Sequence, residues 1–186
     1  MSAVDALGRR LVEVALLEGD FVLRSGARSR WYLDKYRFET DPSLLRPLGE
    51  RLAATILTVE PETSRLAGPA LGAVALAASA AMASGLPFII IRGETKEYGT
   101  ANRIEGLYGP GDVVCLIEDV VTSGGALLEA VAALRETGLV VRHAVCVVDR
   151  EEGGADALAR AGVRLTALYR ASELLAAGRR DDEPHG

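Results

Sequence analysis

The chain has 186 residues, enough for one domain with a sizeable core, and 26 acidic against 21 basic side chains leave a formal charge of −5. That balance, without a basic arm, gives no electrostatic reason to expect nucleic acid as a partner. The two cysteines, Cys115 and Cys146, lie in apolar runs and the two histidines are His143 and His185; no zinc-site spacing results, and buried free thiols of a reducing compartment are expected.

In chain order, the opening stretch MSAVDALGRRLVEVALLEGD is charged and amphipathic, unlike a signal peptide, so a cytoplasmic location is expected. Val4, Leu7, Leu11, Val14 and Leu17 share helical spacing and predict a helix over 4–17, ending at Gly19. DFVLRSGARSRWYLDKY then reads as two short strands around Ser25-Gly26, with Phe21, Leu23, Trp31 and Leu33 in period two. Asp41 can cap the following helix and Pro42 fits its first position. This helix is predicted to reach about Leu57, burying Leu45, Leu48, Leu52 and Ile56.

RLAGPALG supplies a short strand and a glycine-containing turn, followed by a helix over 73–84 that Gly85 ends. The apolar run Ala70–Ile91 has the length of a membrane span, but Gly72, Gly85 and Pro87 divide it into turn, helix and strand, and no membrane association is expected. GETKEYGTANRIEGLYGPGD has no sustained period and reads as a long loop with room for a small hairpin; its length favours an active-site cover. VVCLIED, a helix over 125–137, Gly138 and VVRHAVCVVD form a strand–helix–strand unit, and ALARAG and VRLTALYR add a helix and a strand. The polar tail AAGRRDDEPHG is expected to fray. Short apolar strands alternating with helices imply an α/β fold with a central, mostly parallel sheet flanked by helices.

The chemistry concentrates in VCLIEDVVTSGGALLEA, where Glu118 and Asp119 end a buried strand and Thr-Ser-Gly-Gly opens a helix. In open α/β sheets, ligands bind beyond the carboxyl ends of the strands. Two carboxylates there can accept hydrogen bonds from vicinal ribose hydroxyls, directly or through magnesium and its waters. Free amides of the turn, with the Thr122 and Ser123 hydroxyls, make a phosphate-sized nest favoured by the helix dipole. The pattern fits a sugar phosphate, and is neither a Walker loop nor a dinucleotide fingerprint. Read alone, TSGG is equally well a plain turn, and Asp119 a helix cap.

VCLIEDVVTSGG is similar to the signature with which type I phosphoribosyltransferases bind phosphoribosyl pyrophosphate. The resemblance implies their Rossmann-like fold: a single domain over 1–186, with a small base-binding N-terminal hood over about 1–40, a core over about 41–175 and a frayed tail over 176–186. It assigns the ribose hydroxyls to Glu118 and Asp119, and the 5'-phosphate to Val120, Val121, Thr122, Ser123, Gly124 and Gly125. AGPALG matches the family's pyrophosphate loop, implicating Ala70 and Leu71 between Gly68 and Gly72.

FVLRSGARSRWYLDKY and VVDREEGG resemble orotate phosphoribosyltransferases in particular, which implies that Arg24, Trp31, Tyr32, Thr122 and Arg150 bind the orotate end. A guanidinium suits the orotate carboxylate because it can fork onto both oxygens. Without the resemblance, Arg150 reads as well as a surface residue at a strand end.

In the long loop, Arg92 and Lys96 match family cations, whereas Gly93 stands where a lysine is usual and Tyr98 where a histidine is usual. The resemblance makes Arg92, Lys96 and Asp119 the catalytic residues, with Arg92, Lys96 and Tyr98 also touching phosphoribosyl pyrophosphate. It further implies magnesium held mainly by substrate and water, with no protein metal ligands, and a homodimer with shared active sites. Transfer to another base, or a non-catalytic phosphoribosyl pyrophosphate-binding regulator, stays open at this level.

Overall fold

The computed structural model describes residues 4–22, 26, 28–93 and 103–181. Helix α1 (Ala6–Ala15) is capped by Asp5, whose side chain accepts from the Gly8 amide, and it buries Leu11, Val12 and Ala15. It is shorter than its apolar spacing predicts. Leu16 and Leu17 instead open strand β1 (Leu16–Val22), which pairs antiparallel with β2 (Arg28–Leu33) in the register Leu16 to Leu33. Pairing with β2 supplies those residues with ladder bonds that another helical turn would have to forgo. Two helices follow, the single-turn α2 (Lys35–Glu39) and α3 (Pro42–Val59). Asp41 caps α3 as the sequence predicts, but Leu44 rather than Leu45 joins Leu48, Leu52 and Ile56 in its fully buried stripe.

The core continues through β3 (Arg65–Pro69), α4 (Ala73–Ser84), β4 (Phe88–Ile91), β5 (Ile104–Glu105), β6 (Val113–Val121), α5 (Gly125–Glu136), β7 (Val140–Asp149), α6 (Gly154–Arg160), β8 (Arg164–Arg170) and α7 (Ala171–Asp181). Six strands form one sheet in the order β5-β4-β3-β6-β7-β8, parallel except for β5, which returns antiparallel along β4. That return gives the stretch expected to be a loop a short ladder at its far end. Helix α7 includes 176–181, which the sequence alone left in a frayed tail. The backbone at Gly178 passes close to Val12 and Leu16, so packing against the N-terminal segment accounts for the extra turns.

One face of the sheet packs Ile117, Val145 and Val147 against α1, α3, α4 and α7; the other packs Leu116, Ala144 and Cys146 against α5 and α6. Burial on both faces is why β6 and β7 are near-continuous apolar runs. Cys115 and Cys146 are free and buried, as their settings predict, and burial pushes the Cys115 thiol up to about 12. No described helix is long and apolar enough to cross a membrane.

Candidate active site

Parallel pairing with β3 and β7 aligns the carboxyl ends of three strands, and the acids lie near the end of the middle one, which pairing with β7 carries on to Val121, two residues past the end that the sequence suggests. Because neighbours on a strand face opposite ways, Glu118 and Asp119 serve different sides of this rim. Glu118 lines a small pocket with Val120, Val121, Thr122, Gly124 and Gly125. Gly124 sits in the left-handed region at φ 82° and caps α5 without any side-chain bond, which leaves the first-turn amides to a ligand. Thr122, Ser123 and Gly125 are exposed. The turn is shaped from behind by Gly154, where an added Cβ would lie 2.5 Å from the Thr122 carbonyl oxygen and from Val121 Cγ1.

Asp119 turns toward β3 and the hood. Its Oδ2 accepts from Lys35 Nζ at 2.7 Å, and its Oδ1 accepts from the Val120 amide at 2.5 Å. A Cβ on Gly72 would fall 1.9 Å from that Oδ2 and 2.5 Å from Lys35 Nζ, so the turn after β3 runs directly against the pair. Within that turn the Ala70–Leu71 peptide is cis, the Ala70 amide donates to the Ile91 carbonyl and Leu71 is exposed.

Glu39, one helical turn after Lys35, is buried at 4 % exposure beside Asp119, and its Oε1 has no hydrogen-bond partner among the described residues. Burial, then the adjacent Asp119, raises Glu39 to about 8; burial and the Asp119 charge raise Glu118 to about 8 as well. Burial opposes a charge on Lys35, yet its bond to Asp119 and the surrounding acids leave its pKa above the ordinary lysine value. Sequence reasoning missed Lys35 and Glu39. Their four-residue spacing reads as a surface ion pair, and only the burial of Phe38 between them turns this face inward.

At the hood, the Arg150 guanidinium lies 4.8 Å from the centre of the Trp31 ring and pairs with Glu152 at 3.0 Å. Trp31 and Arg150 therefore come together. Tyr32 faces the other side of β2, with its ring 5.5 Å from that of Phe21. Arg92 follows β4 and pairs with Glu105 at 3.5 Å within its own chain. Arg24, Lys96 and Tyr98 lie outside the described residues. Among the described residues no three His, Cys, Asp or Glu side chains converge to hold a metal ion.

No family model matches the chain. An orotate phosphoribosyltransferase of Methanocella arvoryzae is 48 % identical over 157 residues, covering 84 % of this chain and 88 % of the relative. The crystal structure of orotate phosphoribosyltransferase from Aeropyrum pernix superposes with a TM-score of 0.82 at 34 % identity, covering 91 % of this chain and 96 % of that one. The Mycobacterium tuberculosis enzyme in complex with phosphoribosyl pyrophosphate gives a TM-score of 0.75 at 26 % identity, over 90 % and 96 % of the two chains.

Proposed function

This chain belongs to the orotate phosphoribosyltransferase family, with its type I phosphoribosyltransferase fold, and from that premise we propose how its own residues divide the work. The enzyme transfers the 5-phosphoribosyl group from phosphoribosyl pyrophosphate to orotate, giving orotidine 5'-monophosphate and pyrophosphate in pyrimidine biosynthesis. A ring nitrogen of orotate forms the new bond to ribose C1 and gives up its proton to water as the C1–oxygen bond breaks, and pyrophosphate leaves with the electron pair.

One observation carries the division of roles. The end of β6 sends Glu118 to the 122–125 turn and Asp119 to the 70–72 turn. In our reading the 5'-phosphate sits on Val120, Val121, Thr122, Ser123, Gly124 and Gly125, and the pyrophosphate lies along Ala70 and Leu71. Glu118 and Asp119 anchor the ribose hydroxyls between them and stabilise positive charge that develops on the ribose; neither acts as a nucleophile. Arg24, Thr122, Arg150 and the backbone of Trp31 and Tyr32 hold orotate, with Arg150 forking onto its carboxylate. Arg92 and Lys96, with Tyr98 nearby, cover the departing charge, where loss of one such donor typically costs about 3 kcal/mol of transition-state stabilisation.

Glu118 and Asp119 are hard oxygen donors, so the rim fits a magnesium ion that takes most of its shell from substrate and water. When bound, that ion would neutralise charge on the pyrophosphate. We further read the protein as a cytoplasmic homodimer in which Lys96 reaches the neighbouring site.

The test is incubation with phosphoribosyl pyrophosphate, magnesium and a panel of bases. Orotate absorbance should fall with stoichiometric pyrophosphate release. Binding of phosphoribosyl pyrophosphate without release, or consumption of a different base, would overturn the reading.

A further inference from the structure

Three buried carboxyl groups, Glu39, Glu118 and Asp119, gather around the end of β6, and Asp119 stands against the turn that the reading above assigns to pyrophosphate. The Asp119 carboxylate there repels a polyanion unless a cation stands between them. Lys35 occupies that position. It is the first residue of α2, and fully buried Phe38 fixes the helix against the core. Its ammonium is 2.7 Å from Asp119 Oδ2 and lies against the backbone at Gly72, where even a methyl group would collide with it. An ammonium has three N–H donors, and the bond to Asp119 takes one. The Lys35 side chain keeps 32 % of its surface exposed while the Asp119 side chain keeps 4 %, so an incoming anion reaches the lysine before the acid.

We propose that Lys35 is a pyrophosphate-binding residue of this enzyme, gripping the leaving group from within its own chain while tethered to the ribose-binding Asp119. The assignment rests on the phosphoribosyl reading and adds to it a group that joins the two halves of the substrate. Lys35 thereby ties the position of Asp119 to occupancy of the pyrophosphate turn. Charge-assisted bonds of this kind are short and strong when partly buried.

The experiment compares ligands with and without a diphosphate. Wild-type, Lys35→Gln and Lys35→Arg proteins, checked by circular dichroism, are titrated calorimetrically with phosphoribosyl pyrophosphate, inorganic pyrophosphate and orotidine monophosphate, each with magnesium. For Lys35→Gln the first two should weaken at least tenfold, about 1.4 kcal/mol, while orotidine monophosphate stays within about threefold; Lys35→Arg should recover most of the loss. Equal weakening of all three ligands, or no weakening of pyrophosphate, overturns the proposal. In the wild-type protein, which does not depend on a variant folding, pyrophosphate should protect Lys35 from acetylation and orotidine monophosphate should not. Absence of that protection overturns it too. A wild-type chain that binds neither phosphoribosyl pyrophosphate nor orotidine monophosphate defeats the phosphoribosyl reading itself, a result distinct from unchanged binding by Lys35→Gln.

Discussion

Arg150 stacks on Trp31 at 4.8 Å, and this contact joins the hood strand β2 to the carboxyl end of core strand β7. The Arg150 side chain is only 13 % exposed, and its charge is paired with that of Glu152. Cation–aromatic contacts contribute about 0.5–2 kcal/mol, and only the planar fork can meet both oxygens of a carboxylate. Arg150→Lys should therefore raise the KM for orotate about 10- to 100-fold and leave the KM for phosphoribosyl pyrophosphate nearly unchanged. Trp31→Ala should act in the same direction with a smaller effect. Steady-state kinetics with each substrate varied separately checks both, and an equal rise in the two KM values would count against the assignment.

Why much of the core was legible and Lys35 was not comes down to what a local pattern can encode, whereas Trp31 and Arg150 were legible only through the family resemblance. Period and capping placed α3, α4, β6, α5 and β7 because their signals, such as Asp41-Pro42 or Gly85, act within a few residues. The 118–125 turn was legible for the same reason: acids, small residues and helix start adjoin in sequence. Lys35 and Asp119 are 84 positions apart, and their meeting depends on how the hood docks. The end of α1 and the start of β1 were misjudged because Leu16 and Leu17 satisfy both periods, and only pairing with β2 decides between them.

The glycine behind the 122–125 turn makes a second prediction. A methyl group at position 154 would lie 2.5 Å from the Thr122 carbonyl oxygen, which belongs to backbone and cannot swing away. Gly154→Ala should displace the turn and weaken phosphoribosyl pyrophosphate binding about tenfold or more, since misplacement by an ångström can cost a hundredfold in rate. Isothermal titration would show it. Wild-type affinity in this variant would mean that the turn does not hold the phosphate.

The buried acids make the free enzyme sensitive to pH. Glu39 and Glu118 are raised from an ordinary 4.5 to about 8, so the folded state binds more protons than the unfolded chain between those values. Stability must then fall as pH rises through that window and level off above it. Glu39→Gln, neutral throughout, should flatten part of this slope, with Lys35, Glu118 and Asp119 still facing the site. At pH 8 we expect its Tm above wild type by a few degrees, on the order of 1 kcal/mol, with little difference at pH 5. Thermal scans without ligand decide it; parallel curves for the two proteins would show that Glu39 does not contribute.

Asp5 ties the first helix to the core by two routes. It accepts from the Gly8 amide as the α1 cap, and its Oδ1 accepts from the Tyr169 hydroxyl at 2.9 Å, while Arg51 donates to that hydroxyl at 2.9 Å. Arg51 also donates to Asp5 Oδ2, so removing the carboxylate loses a cap and takes one acceptor each from Tyr169 and Arg51. Asp5→Ala should cost about 1–3 kcal/mol in urea unfolding. Tyr169→Phe, which spares the cap, should cost about 1 kcal/mol. Equal losses would place the whole effect in the hydroxyl network.

Asp119 and Lys96 allow a test of shared sites. Asp119→Asn keeps the shape of the side chain but removes its charge from Lys35 and, in the proposed reading, from the ribose hydroxyls. Its turnover should drop about a hundredfold or more while the fold is kept. Lys96→Ala should be similarly slow if its ammonium serves the departing pyrophosphate. Where Lys96 acts across a dimer, a mixture of the two inactive proteins forms hybrids in which one site has both an intact Asp119 and an intact Lys96. Refolding the mixture at equal concentrations should then restore about a quarter of wild-type activity, because half of the random dimers are hybrid and each carries one complete site. No recovery, with hybrid dimers demonstrated by native mass spectrometry, would place Lys96 in its own subunit's site.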